Sequence, residues 1–378
     1  MNKKDNNKRK CGIVTFHSAY NYGSVLQSYA MVMTMKNLGL DAELIDFRHP
    51  HTTDMYEWKL WTPYKNWKWN IKDFILRGIL GIGKKREKLF RDFIETKLPM
   101  SRRFSNRNEI PPTKYDVLVC GSDQIWNPVS TGENDPFYFL DFGKTSCKFS
   151  YAASAGSSKF PPEEHMKYAQ YLGHLKSIGV REQFLKDYIK SEFQLESEIN
   201  PDPTLLVNRF EWEKIEEPYN GLPQQYLLVY TLEHANETLE FARQIGNKLG
   251  LPIVQICNTR GLKGKSKDYV DYVLLDASPS QFVWLFNHAR FIVTNTFHGN
   301  MFSVIFRKSF VHYDINGSDS RITTLHTAIG LDQTRMIRTA DALTESDINY
   351  AIIETQICAF ANKGIQFIKK NIEKNGKS

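Results

Sequence analysis

The sequence predicts an α/β protein built from two doubly wound, Rossmann-like halves. Three observations predict it. Short β-branched runs alternate with helical patterns along most of the chain, as in parallel sheets covered by helices. The alternation comes in two sets, separated by the polar, Pro- and Gly-containing stretch Glu216-Glu217-Pro218-Tyr219-Asn220-Gly221-Leu222-Pro223. With 378 residues the chain is long enough for two domains of about 100–200 residues each.

The first unit is the clearest. Ile13-Val14-Thr15-Phe16 reads as a buried strand and His17 to Tyr22 as a loop. Gly23 to Leu38 reads as a helix stopped by Gly39, and Ala42 to Phe47 as the next strand. The alternation then lapses over residues 51–112. This stretch holds Trp58, Trp61, Trp67 and Trp69 and a helical pattern near 70–95, and it ends in Pro99 and Pro111-Pro112, so it reads as a helical, aromatic-rich insertion in the first half. Alternation resumes with strands at Tyr115 to Cys120, Lys148 to Ser154 and Ile178-Gly179-Val180, with a helix after Pro161-Pro162 and another from Glu182 to Ser191.

The second set has strands at Tyr226 to Tyr230, Ile253 to Ile256, Phe291 to Thr294 and Phe310 to His312, with helices over 234–248, 279–288 and 299–306. A long helical pattern over 343–372 has the length to pack back across both halves. The expected organisation is a basic tail (1–10), an N-terminal α/β domain (11–215, with 51–112 as the insertion) and a linker (216–225). A C-terminal α/β domain (226–335) and a C-terminal helical segment (336–378) complete it.

Composition narrows the function classes. The net charge of +7 comes entirely from the two ends: residues 1–10 carry five cations against one anion, and residues 369–378 four against one. The body between them is neutral, which argues against a nucleic-acid binder with a basic folded face. Five widely spaced cysteines show no C-x-x-C and no metal-ligand spacing, so a reduced, cytoplasmic chain with no metal is expected. No export core follows the basic start. The longest apolar stretch, Phe282 to Phe306, is broken by His288, Arg290, Asn295 and His298, and so is not a transmembrane helix. The Trp and Lys mixture at 58–69 has two readings, a peripheral membrane contact at the inner face or the packing of an inserted helix.

In open parallel sheets ligands bind beyond the carboxyl ends of the strands, so the residues after each strand are the ones to weigh. His17, His298 and His312 fall there. In Thr294-Asn295-Thr296-Phe297-His298-Gly299-Asn300 a strand ends, a His follows, and a Gly opens a helix whose N–H groups suit a phosphate or carboxylate. A His in that place is either a general acid or base, because imidazole titrates near neutral pH, or a cap packed at a strand end. In the loop Gly121 to Pro128, Asp123 can orient a His or accept a proton from a sugar hydroxyl and Trp126 can stack on a sugar face, or Ser122 or Asp123 simply caps a short helix. The first loop, His17-Ser18-Ala19-Tyr20-Asn21-Tyr22-Gly23-Ser24, is neither G-x-G-x-x-G nor a Walker loop, which disfavours a dinucleotide or ATP site. Arg181 and Arg321 are each either an anion clamp or an ion-paired surface residue.

Taken together, Asn21-Tyr22-Gly23-Ser24-Val25-Leu26-Gln27, Gly121-Ser122-Asp123-Gln124-Ile125-Trp126-Asn127, Pro201-Asp202-Pro203-Thr204-Leu205-Leu206 and Thr296-Phe297-His298-Gly299 resemble the polysaccharide pyruvyl transferase family from about residue 11 to 335. The resemblance implies an architecture similar to the GT-B glycosyltransferases, phosphoenolpyruvate as donor substrate with no other cofactor, and a saccharide acceptor, free or lipid-linked, in the cleft between halves. It implies His298 as acid/base catalyst with Asp123 as the second catalytic group. Donor binding would fall to Arg181, Arg321, Thr296, Phe297, Gly299 and Asn300, and acceptor binding to His17, Asn21, Tyr22, Gly23, Ser122, Gln124 and Trp126. One position departs from the family pattern: members resemble Arg-x-His-Gly where this chain has Thr296, and Arg181 or Arg321 would have to supply the missing charge. The rival expectations are a nucleotide-sugar-dependent glycosyltransferase of similar fold and a non-catalytic saccharide-binding protein.

Overall fold

The structure, a computed structural model, describes residues 8–47, 84–131, 135–156, 158–232, 235–257, 266–314, 319–331, 333–343 and 347–373. Trp58, Trp61, Trp67 and Trp69, and with them the membrane reading of their segment, lie outside the described residues, as do the outer parts of both basic tails. The chain forms two compact units. One comprises Met1–Glu57, Ile94–Val207 and Cys358–Ser378, the other Trp58–Phe93 and Asn208–Ile357.

The first unit holds a sheet of six strands: β1 (Lys10–Val14), β2 (Asp41–Leu44), β3 (Val117–Cys120), β4 (Lys148–Ala153), β5 (Ser177–Val180) and β6 (Glu198–Ile199). They lie in the order β2-β1-β3-β4-β5-β6 and every pairing is parallel. Central strands such as β3 are buried along their whole length, which is why they appear in the sequence as unbroken apolar runs rather than as alternation. The helix Tyr22–Asn37 is buried almost all round and packs against the short 3-10 turn Pro203–Leu206. The core brings Val14, Leu118 and Val180 from the sheet together with an aromatic group that includes Trp126, Phe137, Phe139 and Phe160.

The second unit repeats the plan with β7 (Leu227–Tyr230), β8 (Ile253–Ile256), β9 (Tyr272–Leu274), β10 (Phe291–Thr294), β11 (Ser309–Tyr313) and β12 (Met336–Ile337). Their order is β12-β11-β10-β7-β8-β9, again parallel throughout. Leu227, Val229, Val293 and Val311 form its core with Leu239, Phe241 and Ile245 of the helix Ala235–Leu249. The helix Pro279–His288 starts with a full capping box, Ser278 and Gln281 each bonding the other's backbone N–H, with Pro279 in the first turn. Among the described residues no helix is long and apolar enough to cross a membrane.

The structure corrects the sequence reading in three places. β6, β9 and β12 were not foreseen, because edge strands of two or three residues leave no pattern. The stretch 216–223 is not where the units divide. Glu216 accepts from Asn287 Nδ2 at 3.1 Å, and Tyr219 donates to Asp276 at 3.2 Å, so this segment packs on the second unit and the division falls between Val207 and Asn208. The insertion 51–112 does not belong wholly to the first half: of its described part, residues 84–93 group with the second unit, where Lys85 Nζ pairs with Asp276 at 2.5 Å. Beyond the helix Lys84–Lys97 the chain runs beside the end of β2, with bridges from Leu44 to Met100 and from Phe47 to Phe104.

Candidate functional site

Each sheet has one point where its strand order reverses. In the first, β1 continues to β2 on one side and has β3 on the other. In the second, β7 leads outward to β8 and β9, while β10 on its far side leads to β11 and β12. Ligands of open parallel sheets settle in the crevice that opens at such points, outside the carboxyl ends of the strands. The registers Val14↔Cys120 and Tyr230↔Thr294 place four strand ends there, and the loops that follow β1, β3 and β10 are three of the four sequence motifs.

In the first unit the loops after β1 and β3 enclose a cavity of about 130 Å³, lined by residues that include Thr15, His17, Asn21, Ser24, Asp123, Gln124 and Tyr138. This is below the roughly 300–1,000 Å³ of pockets that take whole drug-sized ligands, so it suits a small polar group. Ser24 Oγ donates to Asp123 Oδ2 at 2.5 Å, while Asp123 Oδ1 accepts from Gln124 N at 2.8 Å. These two bonds hold Asp123 in the left-handed region at φ 66°, where a short acid is among the better tolerated residues. Gly121, at φ 112°, passes so near β4 that a Cβ would stand 2.1 Å from the Tyr151 carbonyl oxygen; no side chain fits there.

Beneath the cavity lies a buried polar layer. Gln27 Nε2 donates to Thr15 Oγ1 at 2.8 Å, and Thr15 Oγ1 donates to Ser122 O at 3.1 Å. Ser122 Oγ donates to Asp202 Oδ2 at 2.7 Å, and Arg181 Nη1 donates to the same oxygen at 3.1 Å. Asp202 Oδ1 caps the turn Pro203–Leu206 through Thr204 N at 3.0 Å. The motif Pro201-Asp202-Pro203-Thr204 therefore neutralises Arg181, steadies the loop after β3 and supports the helix Tyr22–Asn37.

In the second unit β10 ends at Thr294, and Thr296 caps the helix Phe297–Ile305 by accepting from Gly299 N at 2.9 Å. The helix thus starts two residues before Gly299, and His298 lies in its first turn, partly exposed. Gly299 is required by space: a Cβ would stand 2.1 Å from Thr294 Oγ1. One turn on, Asn300 is fully buried between two histidines. Its Nδ2 donates to Thr296 O at 2.8 Å and to His312 Nδ1 at 2.9 Å, and its Oδ1 accepts from His326 Nε2 at 3.0 Å. Burial pushes His312 down to about 4, against a smaller upward pull from Asp319 and Asp314 and with a little help from Arg321, and pushes His326 down to about 3, with His312 adding to the effect.

The structure brings His17, Asn21, Asp123 and Gln124 around one cavity, and gathers Thr296, Phe297, His298, Gly299 and Asn300 at one helix start, where Asn300, expected to bind the donor, is fully buried with its whole amide engaged and cannot reach one. It removes other residues from the sites expected for them. Trp126 is fully buried, stacked on Phe139 at 5.2 Å with its Nε1 donating to Tyr138 O, and has no face for a sugar. Tyr22, Gly23 and Ser122 are buried and line no part of the cavity. Asn21 Oδ1 is taken by Gly23 N as a helix cap, and the two ring nitrogens of His17 lie 3.2 Å from Thr15 O and 3.1 Å from Asp46 Oδ1, so His17 stiffens the wall rather than offering a nitrogen. Arg181 is sealed between Asp202 and Glu182, and Arg321 is gripped by Asp319 through Nε and Nη2, so neither points an unengaged guanidinium at a ligand.

Four residues escaped the sequence reading. Asp46 and Ser24 were within reach of it, Asp46 at the end of a predicted strand and Ser24 inside a quoted motif. Asp202 lay inside another such motif, while His326, in the interior of the helix Ser320–Ile329, carried no signal. A larger cavity of about 840 Å³ lies at the other end of the first sheet, by the amino ends of β1, β3, β4 and β5, where Arg9 and Lys176 bond the carbonyls of Ile372 and Asn371 at the end of the helix Tyr350–Ile372.

Comparison with known proteins gives a match to one family model, described as polysaccharide pyruvyl transferase, over residues 21–317. A search of curated proteins found no matching relative. Solved structures similar to the chain include a UDP-GlcNAc 2-epimerase from Neisseria meningitidis bound to UDP-GlcNAc, with 10% identity and a TM-score of 0.49 over 97% of this chain and 99% of that one. Another is a glycosyltransferase from Rickettsia africae, with 12% identity and a TM-score of 0.49 over 98% of this chain and 100% of that one.

Proposed function

The chain belongs to the polysaccharide pyruvyl transferase family and is a transferase, and from that premise we propose that it moves pyruvate from phosphoenolpyruvate to a pair of hydroxyls on a saccharide. The acceptor belongs to the synthesis of a bacterial-type capsule, exopolysaccharide or cell-wall polymer, free or lipid-linked, and the work is done in the cytoplasm or at the inner membrane face. The observation that carries the proposal is the motif histidine His298 in the first turn of a helix, at the reversal point of a parallel sheet.

The chemistry needs a proton on the donor's methylene carbon, attack by one sugar hydroxyl at the neighbouring carbon with loss of that hydroxyl's proton, and departure of phosphate as its bond to that carbon breaks. A second hydroxyl then closes the ketal. His298 would deliver and collect these protons, because an imidazole exchanges protons readily near neutral pH. The start of its helix favours the donor's negative charge. Asp123, held by Ser24, would accept the proton of an acceptor hydroxyl in the small cavity of the first unit. Arg321 would meet the donor only by exchanging Asp319 for it.

The engagement of both arginines counts against the doubly ionised phosphoenolpyruvate, and the second reading is a donor of another class, a nucleotide-sugar. One experiment separates the two. Binding of phosphoenolpyruvate and of several nucleotide-sugars is measured by calorimetry, and phosphate release is followed with phosphoenolpyruvate and a panel of aryl glycosides. Phosphate release with a new ketal methyl signal supports pyruvyl transfer. Binding of a nucleotide-sugar without phosphoenolpyruvate binding moves the assignment to the second reading, and no binding of any donor removes both.

A further inference from the structure

The buried chain His326–Asn300–His312 has no part in the chemistry above, yet it ends on the backbone that carries His298. The amide's orientation follows from its neighbours. Thr296 O can only accept, so the amide atom 2.8 Å from it must be the NH2 group, and its second hydrogen then goes to His312 Nδ1. His312 is therefore the tautomer protonated on Nε2. Asn300 Oδ1 can only accept, so His326 carries its proton on Nε2 as well. Every hydrogen of the amide has one acceptor, and each partner comes from a different element: the N-cap Thr296, strand β11 and the helix Ser320–Ile329. With Asn300 and His326 at 0% exposure and His312 at 4%, these bonds are shielded from bulk solvent.

The carbonyl thus held is that of the residue two before His298. Thr296 is also tied by its hydroxyl to Gly299 N and to Thr294 Oγ1, so the turn between β10 and the helix is clamped on both sides of His298. We propose that Asn300, oriented by His326 and His312, is a positioning residue that sets the imidazole of His298 for proton transfer. The inference rests on reading His298 as the acid/base group. A purely structural network would stabilise the unit without being needed for the geometry of one ring.

The test uses the full chain labelled with ¹⁵N-histidine, as wild type and as Asn300→Ala, His326→Leu, His326→Gln and His298→Gln. Circular dichroism and thermal unfolding verify that each folds. Glutamine keeps a donor where His326 Nε2 stands, and leucine does not. In Asn300→Ala and His326→Leu the ring resonances of His298, identified by their loss in His298→Gln, should move away from the wild-type position and its titration should change. In His326→Gln they should return toward it. Phosphate release from phosphoenolpyruvate should fall on the order of 100-fold in Asn300→Ala, as for a misplaced catalytic group. Its KM should stay within about twofold, since the loss falls on the transition state.

Wild-type His298 resonances in folded Asn300→Ala overturn the proposal, with or without a known acceptor, and so do equal defects in His326→Leu and His326→Gln. Full turnover in His298→Gln overturns the acid/base reading itself. Lost turnover in His298→Gln with full turnover in Asn300→Ala overturns the positioning role alone.

Discussion

Arg181 Nη1 stands 3.1 Å from Asp202 Oδ2, and the two side chains are 2% and 0% exposed. A buried guanidinium beside a carboxylate that already holds Ser122 and Thr204 is a structural joint between the loops after β3, β5 and β6. It turns an arginine that reads as an anion clamp into part of the platform under the site.

Breaking this pair leaves one charge without its partner. Asp202→Ala should lower the unfolding free energy of its unit by about 3–5 kcal/mol in urea titration, the range for a severed buried ion pair. A loss well under that would mean water reaches the guanidinium.

The histidines around Asn300 make stability depend on pH. Their folded values, about 4 for His312 and about 3 for His326, lie below the 6.5 of a free imidazole, so below pH 6.5 the unfolded chain takes up protons that the folded chain refuses. The stabilisation is complete above pH 6.5, is lost progressively below it, and is gone once pH has fallen through about 4 for His312 and about 3 for His326. Melting temperatures between pH 7.5 and 5 should fall less steeply in His312→Gln/His326→Gln than in wild type, and identical slopes would contradict the assignment.

Three glycines with positive φ should respond differently to alanine. Gly121→Ala drives a Cβ to 2.1 Å from the Tyr151 carbonyl oxygen at φ 112°, and should cost more than about 2 kcal/mol or abolish soluble expression. Gly39→Ala, at φ 87° with nothing within 4 Å, should cost about 1 kcal/mol. Gly143→Ala meets only the movable Leu118 Cδ1 at 2.8 Å among near contacts and should fall between. Denaturant midpoints rank the three.

His298→Gln should reduce phosphate release from phosphoenolpyruvate by about 10²–10⁴-fold, the usual reach of general acid–base catalysis, with donor affinity nearly unchanged. A variant that loses binding and turnover together would place His298 in donor recognition instead.

Ser24→Ala frees Asp123 from its 2.5 Å bond and should impair turnover more than thermal stability, because Asp123 keeps its bond to Gln124 N. Steady-state rates set beside melting curves decide it, and an unchanged rate would remove Asp123 from the proton path.

Much of this was legible in the linear chain. Runs such as Val117-Leu118-Val119-Cys120 and Phe291-Ile292-Val293-Thr294 are apolar without alternation because helices cover both faces of a parallel sheet, so two doubly wound units could be read directly. Turn motifs were equally local: Asp123, Asn21 and Thr296 each satisfy a backbone demand within a few residues. What the chain order could not reveal was which polar side chains serve a ligand and which serve each other. Trp126 reads as a sugar platform and is core, and Arg181 and Arg321 read as anion clamps and are held by Asp202 and Asp319. His326 and His312 meet across Asn300 only because the helix Ser320–Ile329 and β11 both pack against the helix Phe297–Ile305. Secondary structure follows from neighbours in sequence, but the pairing of charges and hydrogen bonds follows from neighbours in space, and that choice belongs to the tertiary fold.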